Sequence, residues 1–415
     1  MNPVKEKADA LLEEKLCDHC LGRQFAKLGY GLENYERGAI IRKEPDLEES
    51  DFDPENVPEE AEFEGSNIDS SECKVCGGLF ARVDEYADMV ISSFDRYELS
   101  TFLVGIRPPE SVIAAEEDLW EDYGVEFTEP VKTELSRLIG KRVEKELGIE
   151  VDFERADIMA VVDMREGKER IELQVNSLLV YGQYNKYSRE LPQTEWHCRN
   201  CRGDGCDECD WTGKNYPTSV QEIIQEPFMR ETKAIDAKFH GGGREDVDAK
   251  CLGKREFVLE LREPIHRDLD LEALAEEVNE SEDVEIFNVR PAGKDEAAEI
   301  KQKHADKRYR ALVELEEDIE EESLEKLQEI VGEVKQFTPN RVQHRRAEKV
   351  RKREVFEIEA ERVGEKKIEL EIEAEAGTYI KELISSDEGN TEPSVSDILG
   401  TKAECVELDV LWVEK

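Results

Sequence analysis

The chain has 415 residues, 102 Asp and Glu against 57 Lys and Arg, and a formal net charge of −45. Length sets a prior of two or three domains, and apolar residues recur with regular periods, which excludes disorder throughout and leaves the acidic surface of a halophilic protein. No run of eighteen apolar residues occurs, which excludes an ordinary membrane-spanning helix. The N-terminus lacks the succession of a signal peptide, so a cytoplasmic protein without a membrane partner is expected.

In chain order, residues 1–84 read as an N-terminal metal-binding module. An opening helix precedes a Cys-x-x-Cys knuckle, Cys17 and Cys20 in "CDHCLGRQFAKLGYG", and "LGRQFAKLG" reads as a second helix. An acidic insertion over 44–72 has little to bury and leads to a second knuckle, Cys73 and Cys76 in "SECKVCGG". Thiols in a reducing compartment serve metals more often than disulfides. Two such knuckles complete a tetrahedral four-thiolate zinc site with no open coordination position, hence a structural one.

Residues 85–195 change to helix and then strands. "TEPVKTELSRLIGKRVEKELG" has helical spacing, while "IMAVVDM" and "RIELQVNSLLVYG" have the apolar content of central strands. Residues 196–214 hold a tighter constellation, "CRNCRGDGCDEC", with Cys198, Cys201, Cys206 and Cys209, and are expected to act as a hinge between modules. Four thiolates also hold iron–sulfur clusters, so the metal stays open, with the knuckle spacing favouring zinc. His19 and His197 read as bystanders, and Cys251 and Cys405 as core residues.

Over 215–415 strands and helices alternate. "REFVLELR", "DVEIFNVR" and "YRALVELE" read as strands and "LDLEALAEEVN" as a helix. "EESLEKLQEIVGEV" reads as a helix with Leu324, Leu327, Ile330, Val331 and Val334 on one face. "REVFEIEAERV" and "KIELEIEAEA" form a hairpin through "GEK", followed by a helix at "TYIKELISS" and a strand at "CVELDVLWV". Connections this short favour a mixed, mostly antiparallel sheet, so the expected class is α+β and multi-domain.

Within that region "KFHGGGREDVDAK" sets three glycines before two nearby aspartates. Glycine loses the most backbone freedom on folding. The run is therefore either a flexible surface turn or a loop that lets a ligand approach beside a carboxylate. No phosphate loop, dinucleotide fingerprint, zinc-protease motif or nucleophile elbow is present. What remains is Asp246 beside Arg244, where an ionised carboxylate acts as nucleophile or base without a cofactor. The basic run from Arg341 to Arg353, including Arg345 and Arg346, suits a polyanion. The alternative is a strand edge kept from aggregating by charge.

Five blocks in order, "FHGGGREDVDAKCLG", "RYRALV", "TPNRVQHRRAEKVRKR", "AGTYIKEL" and "TEPSVSDILG" with "AECVELDVLWV", resemble the archaeal and eukaryotic tRNA pseudouridine synthases that modify the TΨC arm. "CDHCLGRQFAKLGYG" is similar to that family's N-terminal zinc module, and "SLLVYGQYNKYSRELPQTEW" to the end of its THUMP RNA-binding domain. The resemblance implies a THUMP-like domain over 85–195, a catalytic domain over 215–415, and tRNA as the partner of a monomer with no protein partner. It also implies isomerisation of uridine at position 55, with position 54 added in archaea, and no cofactor in the chemistry. By the family's Arg-x-Asp unit, the nucleophile is Asp246 rather than Asp248. Tyr309 would stack on the target base, Lys381 pair with Asp246, Ile380 pack on the pyrimidine, and Leu408 (or Leu411) close the pocket. The glycines would then make room for RNA. The sequence departs from the family pattern at Asn390 and at "KREF" (residues 254–257). The rival reading is a non-catalytic, zinc-stabilised tRNA-binding adaptor or RNA chaperone.

Overall fold

The computed structural model describes residues 3–44, 46–57, 70–165, 168–303, 305–339 and 347–413. The chain is of the α+β class and divides into two compact units, Met1–Asn176 with Pro264–Arg267 and Ser177–Glu263 with Asp268–Lys415. Of the acidic insertion, residues 45 and 58–69 lie outside the described residues; the rest carries short 3-10 turns at Glu49–Asp51 and Pro54–Asn56, and its Leu47 and Phe52 are buried, which corrects the reading that it has little to bury. No helix among the described residues is long and apolar enough to cross a membrane.

The first unit opens with helices α1 (Pro3–Leu12), α2 (Asp18–Gly22) and α3 (Asn34–Lys43). The expected second helix is α2 followed by a 3-10 turn at Arg23–Phe25, so regular helix stops before "AKLG". Further helices are α4 (Val83–Phe94), α5 (Glu110–Tyr123) and α6 (Val131–Leu147). Strands β1 (Thr101–Arg107), β2 (Glu150–Val151), β3 (Ile158–Asp163) and β4 (Arg170–Val175) form a sheet in the order β2-β1-β3-β4. β1 runs parallel to β2 and β3, and β4 is antiparallel to β3. α6 repeats Val131, Leu135, Ile139 and Val143 on its buried face, and Gly148 in the left-handed region ends it.

The second unit comprises β5 (Leu178–Lys186), α7 (Val220–Thr232), β6 (Asp236–Gly241), β7 (Ala249–Arg262), α8 (Leu271–Val278) and β8 (Val284–Pro291). α9 (Glu296–Gln302), β9 (Lys307–Leu315), β10 (Gly332–Gln336), β11 (Arg351–Gly364) and β12 (Lys367–Ala374) follow. α10 (Ile380–Ser385), β13 (Thr391–Glu392), α11 (Val395–Leu399) and β14 (Ala403–Val413) complete it. A ten-stranded sheet runs β13-β10-β11-β12-β9-β14-β7-β5-β8, with β6 also on β7. β14 lies antiparallel to β9 and parallel to β7, so it joins the two halves of the sheet.

Three expectations are corrected. β5, assigned by sequence to the THUMP-like segment, pairs with β7 and β8 in the second sheet; its residues Val180 and Tyr184 are buried there, and partners for burial, not position along the chain, decide membership. The segment 196–214 accordingly lies inside the second unit rather than between units. The expected helix over "EESLEKLQEIVGEV" is a 3-10 helix, Glu321–Ile330, and Val334 belongs to β10. Leu324, Leu327 and Ile330 are spaced by three, the period that a 3-10 helix places on one side; Gly332 at φ +119° then redirects the chain. The hairpin of β11 and β12 forms as expected, through Glu365 and Lys366.

Candidate active site and metal centres

The loop 242–248 joins β6 to β7, which pair antiparallel up to Gly241 opposite Phe257. Gly243 has φ +91°, and a Cβ there would lie 2.8 Å from Nη1 of Arg255; a Cβ on Gly241 would lie 3.0 Å from Nε2 of Gln193. A side chain at either position would therefore meet a buried side chain of the chain's own, which is a packing reason for glycine here.

Successive residues of the loop then face opposite ways. Glu245 turns inward, its side chain 1% exposed, 3.1 Å from Nε of the equally buried Arg255. The Tyr184 hydroxyl donates to the Glu245 carboxylate at 3.0 Å. Gln193 Nε2 donates to that hydroxyl and to Gly243 O, both at 2.8 Å, while Arg255 Nη1 donates to Gly242 O at 3.0 Å. Burial pushes the Tyr184 phenol well above its ordinary pKa, and the Glu245 charge adds to this. Lys186, fully buried, donates to Leu191 O and Val247 O at 2.8 Å and to Asp246 O at 3.1 Å.

Asp246 turns outward, with its side chain 38% exposed. Lys381, the second residue of α10, lies 3.8 Å from Asp246 Oδ2 and donates to Asp248 at 2.6 and 2.8 Å. The lysine therefore serves both carboxylates, Asp248 more closely, where the sequence reading paired it with Asp246 alone. Tyr309 is buried on β9; burial pushes its phenol up to about 12, with a contribution from the Asp246 charge. Ile380 is buried at the start of α10, and Leu408 of β14 is level with Ala249 of β7, three residues beyond Asp246. Leu411 lies three residues further along β14. The Arg244 guanidinium sits 4.9 Å above the Trp196 ring, a cation–π contact, and Trp196 meets Tyr216 edge-on at 5.5 Å.

Arg189 ties this loop to β14, donating from Nη1 to Leu408 O at 2.8 Å and from Nη2 to Asp409 at 2.6 Å. Sequence reasoning missed Lys186, Arg189, Gln193 and Arg255. For Lys186 and Arg255 the available signal was a charge within a strand pattern; Arg189 and Gln193, outside the strands, offered none. Arg345 and Arg346 lie outside the described residues. Of the basic run that is described, Arg353 pairs with Glu375 at 2.8 Å and Lys352 with Glu333 at 3.0 Å, ion pairs on the sheet surface.

The eight cysteines predicted as ligands converge in two tetrads. The sulfurs of Cys17, Cys20, Cys73 and Cys76, all buried, lie within 4.8 Å of one another, as do those of Cys198, Cys201, Cys206 and Cys209. Individual separations are 3.6 Å for Cys17–Cys76 and, in the second tetrad, 3.9 Å for Cys198–Cys206, 3.8 Å for Cys201–Cys209 and 3.7 Å for Cys206–Cys209. A tetrahedral zinc–thiolate centre with ~2.3 Å bonds requires about 3.8 Å between sulfurs. In the second tetrad, Gly205 N donates to the Cys201 sulfur at 3.1 Å, and Cys206 N and Gly213 N to that of Cys209 at 3.3 Å. Burial pushes the Cys20 thiol well up while hydrogen bonds from Cys17 and Cys20 hold Cys73 well down. Sulfurs this crowded ionise together only around a cation, so both tetrads can hold a metal ion.

Two family models match. "Pus10, C-terminal" covers residues 179–414, starting in β5, and "Pus10 THUMP domain, archaeal" covers residues 86–163. The tRNA pseudouridine synthase Pus10 of Methanothermobacter marburgensis is 43% identical over 99% of this chain and 98% of its own. That of Halorubrum lacusprofundi is 40% identical over 100% and 97%. A solved Cbf5-Nop10-Gar1 complex is 20% identical with a TM-score of 0.30, covering 46% of this chain and 44% of that one, a likeness too slight to carry an argument.

Proposed function

The chain belongs to the Pus10 family of tRNA pseudouridine synthases, and we propose that it isomerises uridine to pseudouridine in the TΨC arm of tRNA, at positions 55 and 54, with Asp246 as nucleophile. The observation that carries the assignment of Asp246 is the inward–outward alternation of its loop. Glu245 is buried against Arg255, whereas the next carboxylate is presented to solvent with the Lys381 ammonium 3.8 Å away.

The reaction breaks the bond from ribose C1′ to N1 of uracil and forms one from C1′ to C5. The C5 proton leaves and N1 ends protonated, so nothing is oxidised or reduced. Asp246 attacks C1′ as the bond to N1 breaks, and C5 of the turned uracil then displaces the carboxylate from C1′, an ionised carboxylate being a sufficient nucleophile there. A base within a folded arm must first be extruded at a cost of about a few kcal/mol. Tyr309 then stacks on the extruded base, Ile380 packs on its pyrimidine edge and Leu408 closes the pocket. Lys381 favours the charged form of Asp246, and Arg244, with Arg345 and Arg346, takes backbone phosphates.

The N-terminal module and the THUMP segment position the tRNA, and the two tetrads hold zinc. Four thiolates fill the coordination of each zinc and give it a structural task. The protein works as a monomer in the cytoplasm, with tRNA as its only partner.

The test is to incubate wild type and Asp246→Ala with an unmodified tRNA transcript and map pseudouridine by carbodiimide adducts that stop reverse transcription. Product at positions 54 and 55 from wild type, and none from a variant that still binds tRNA, is the expected result. Equal product from both proteins removes Asp246 from the chemistry; tRNA binding without product from either favours the adaptor.

A further inference from the structure

Lys186 is a buried cation directly beneath the loop that carries Asp246. We propose that it is a positioning residue for the reaction, gripping the backbone of Asp246 and Val247 and thereby setting the direction of the carboxylate; this rests on the reading of Asp246 as nucleophile.

The geometry accounts for every donor of the ammonium. Lysine offers three N–H groups, and three carbonyls accept them: Leu191 O and Val247 O at 2.8 Å and Asp246 O at 3.1 Å. Asp246 O also accepts from Ala249 N at 3.1 Å, so its peptide plane is held from two sides. The aim of Lys186 has a local cause. The register of β5 on β7 shifts between Tyr184, opposite Arg255, and Lys186, opposite Cys251, and such irregularities re-aim side chains. Tyr184 thus reaches the Glu245 carboxylate while Lys186, two residues on, reaches the carbonyls beyond it.

A fully buried ammonium is a costly residue for a strand end that an apolar side chain of similar size would fill. Burial lowers its pKa, and the nearby Glu245 charge works the other way. What the ammonium supplies, and a methionine would not, is a three-way bond between the end of β5, the segment after it, and the nucleophile's own peptide. An error of about 1 Å in the aim of a reacting group costs on the order of a hundredfold in rate. Lys186 touches no substrate in this account, so its loss should appear in the chemical step and spare binding.

The experiment compares wild type, Lys186→Met, Lys186→Gln and Asp246→Ala as full-length proteins on an unmodified tRNA transcript. It measures single-turnover rate, tRNA affinity by filter binding, and amide hydrogen exchange over 242–249. Lys186→Met should lose about a hundredfold in rate, keep its affinity, and exchange faster in that loop. Lys186→Gln, which keeps two donors, should recover part of the rate. If the methionine variant does not fold, the glutamine variant carries the test, expected at normal affinity with a rate between wild type and Asp246→Ala. A wild-type rate in the folded variants, or a loss of affinity parallel to the loss of rate, overturns the proposal. When Asp246→Ala is inactive but the lysine variants are not, only the role of Lys186 falls. When Asp246→Ala stays active, the assignment of the nucleophile falls with it.

Discussion

Replacing Arg255 by Leu should remove about 4 kcal/mol from the stability of the second unit, the middle of the range for stripping one partner from a buried ion pair. The side chains of Arg255 and Glu245 are each 1% exposed. Without the guanidinium, the carboxylate keeps, among the described residues, only the Tyr184 hydroxyl as a hydrogen-bond donor, and Gly242 O loses its donor at 3.0 Å. For a unit of this size about 2–4 °C of melting temperature follows each kcal/mol, so a fall of about 8–16 °C is expected. The double variant Glu245→Leu with Arg255→Leu tests the cause. Apolar replacement of both partners is often close to neutral. Gly242 O lacks its donor in both variants, and the double variant adds a Tyr184 hydroxyl without an acceptor, about 1–3 kcal/mol, in place of the unpaired buried charge. Circular-dichroism melts at high KCl should therefore rank wild type above the double variant and the double variant above Arg255→Leu. A single variant within about 1 kcal/mol of wild type, or a double variant below the single, would refute the account of a buried charge held by its partner.

Metal analysis of protein purified without chelator should find two ions per chain, one per tetrad, and Cys198→Ser with Cys201→Ser should bring this to one; two ions in that variant would place the metal elsewhere. Glu359 and Glu361 of β11 lie directly opposite Glu371 and Glu369 of β12, an unfavourable facing of like charges, whereas Arg308 bridges the next pair, Glu357 and Glu373, at 2.8 and 2.7 Å. As KCl rises from about 0.1 M to about 1 M the screening length falls from about 10 Å to about 3 Å, so the melting temperature should climb; a flat response would contradict this. Tyr309 keeps its proton up to about pH 12 in the folded state against about 10 when unfolded. Above pH 10 the folded state binds more protons than the unfolded one, so stability should fall toward pH 12 by up to about 1.4 kcal/mol per unit from this group. Tyr309→Phe should remove that share of the slope; an identical slope would show that the phenol is not held neutral.

Much of this architecture is legible in the sequence where one physical rule dominates. Alternation along 351–374 specifies a hairpin, four-residue spacing from Val131 to Val143 specifies a helix, and knuckle spacing brings the cysteines together. Failures occur where two rules overlap. Leu324, Leu327 and Ile330 suit either an α-helix or a 3-10 helix, and their spacing does not choose between the two. β5 looks like its neighbours β3 and β4, yet its partners come from far along the chain. At the site, Asp246 stands out through its glycines, but the residues packed beneath its loop do not. Lys186 and Arg255 look like surface charges until folding places carbonyls and Glu245 around them.

The central place of β14 bears on how the molecule is made on the ribosome. Strands β9 and β7 are not neighbours; β14 lies between them and brings Leu408 level with Ala249. During translation β7 leaves the exit tunnel well before β14, at typical elongation speeds by on the order of ten seconds. Throughout that interval the edge of β7 that β14 will cover stays open, as does that of β9 once it is made, and Ala249 lacks Leu408 beside it. On the proposed reading, a stalled or prematurely terminated chain would carry Asp246 without Leu408, and would be inactive through its geometry rather than through an inhibitor.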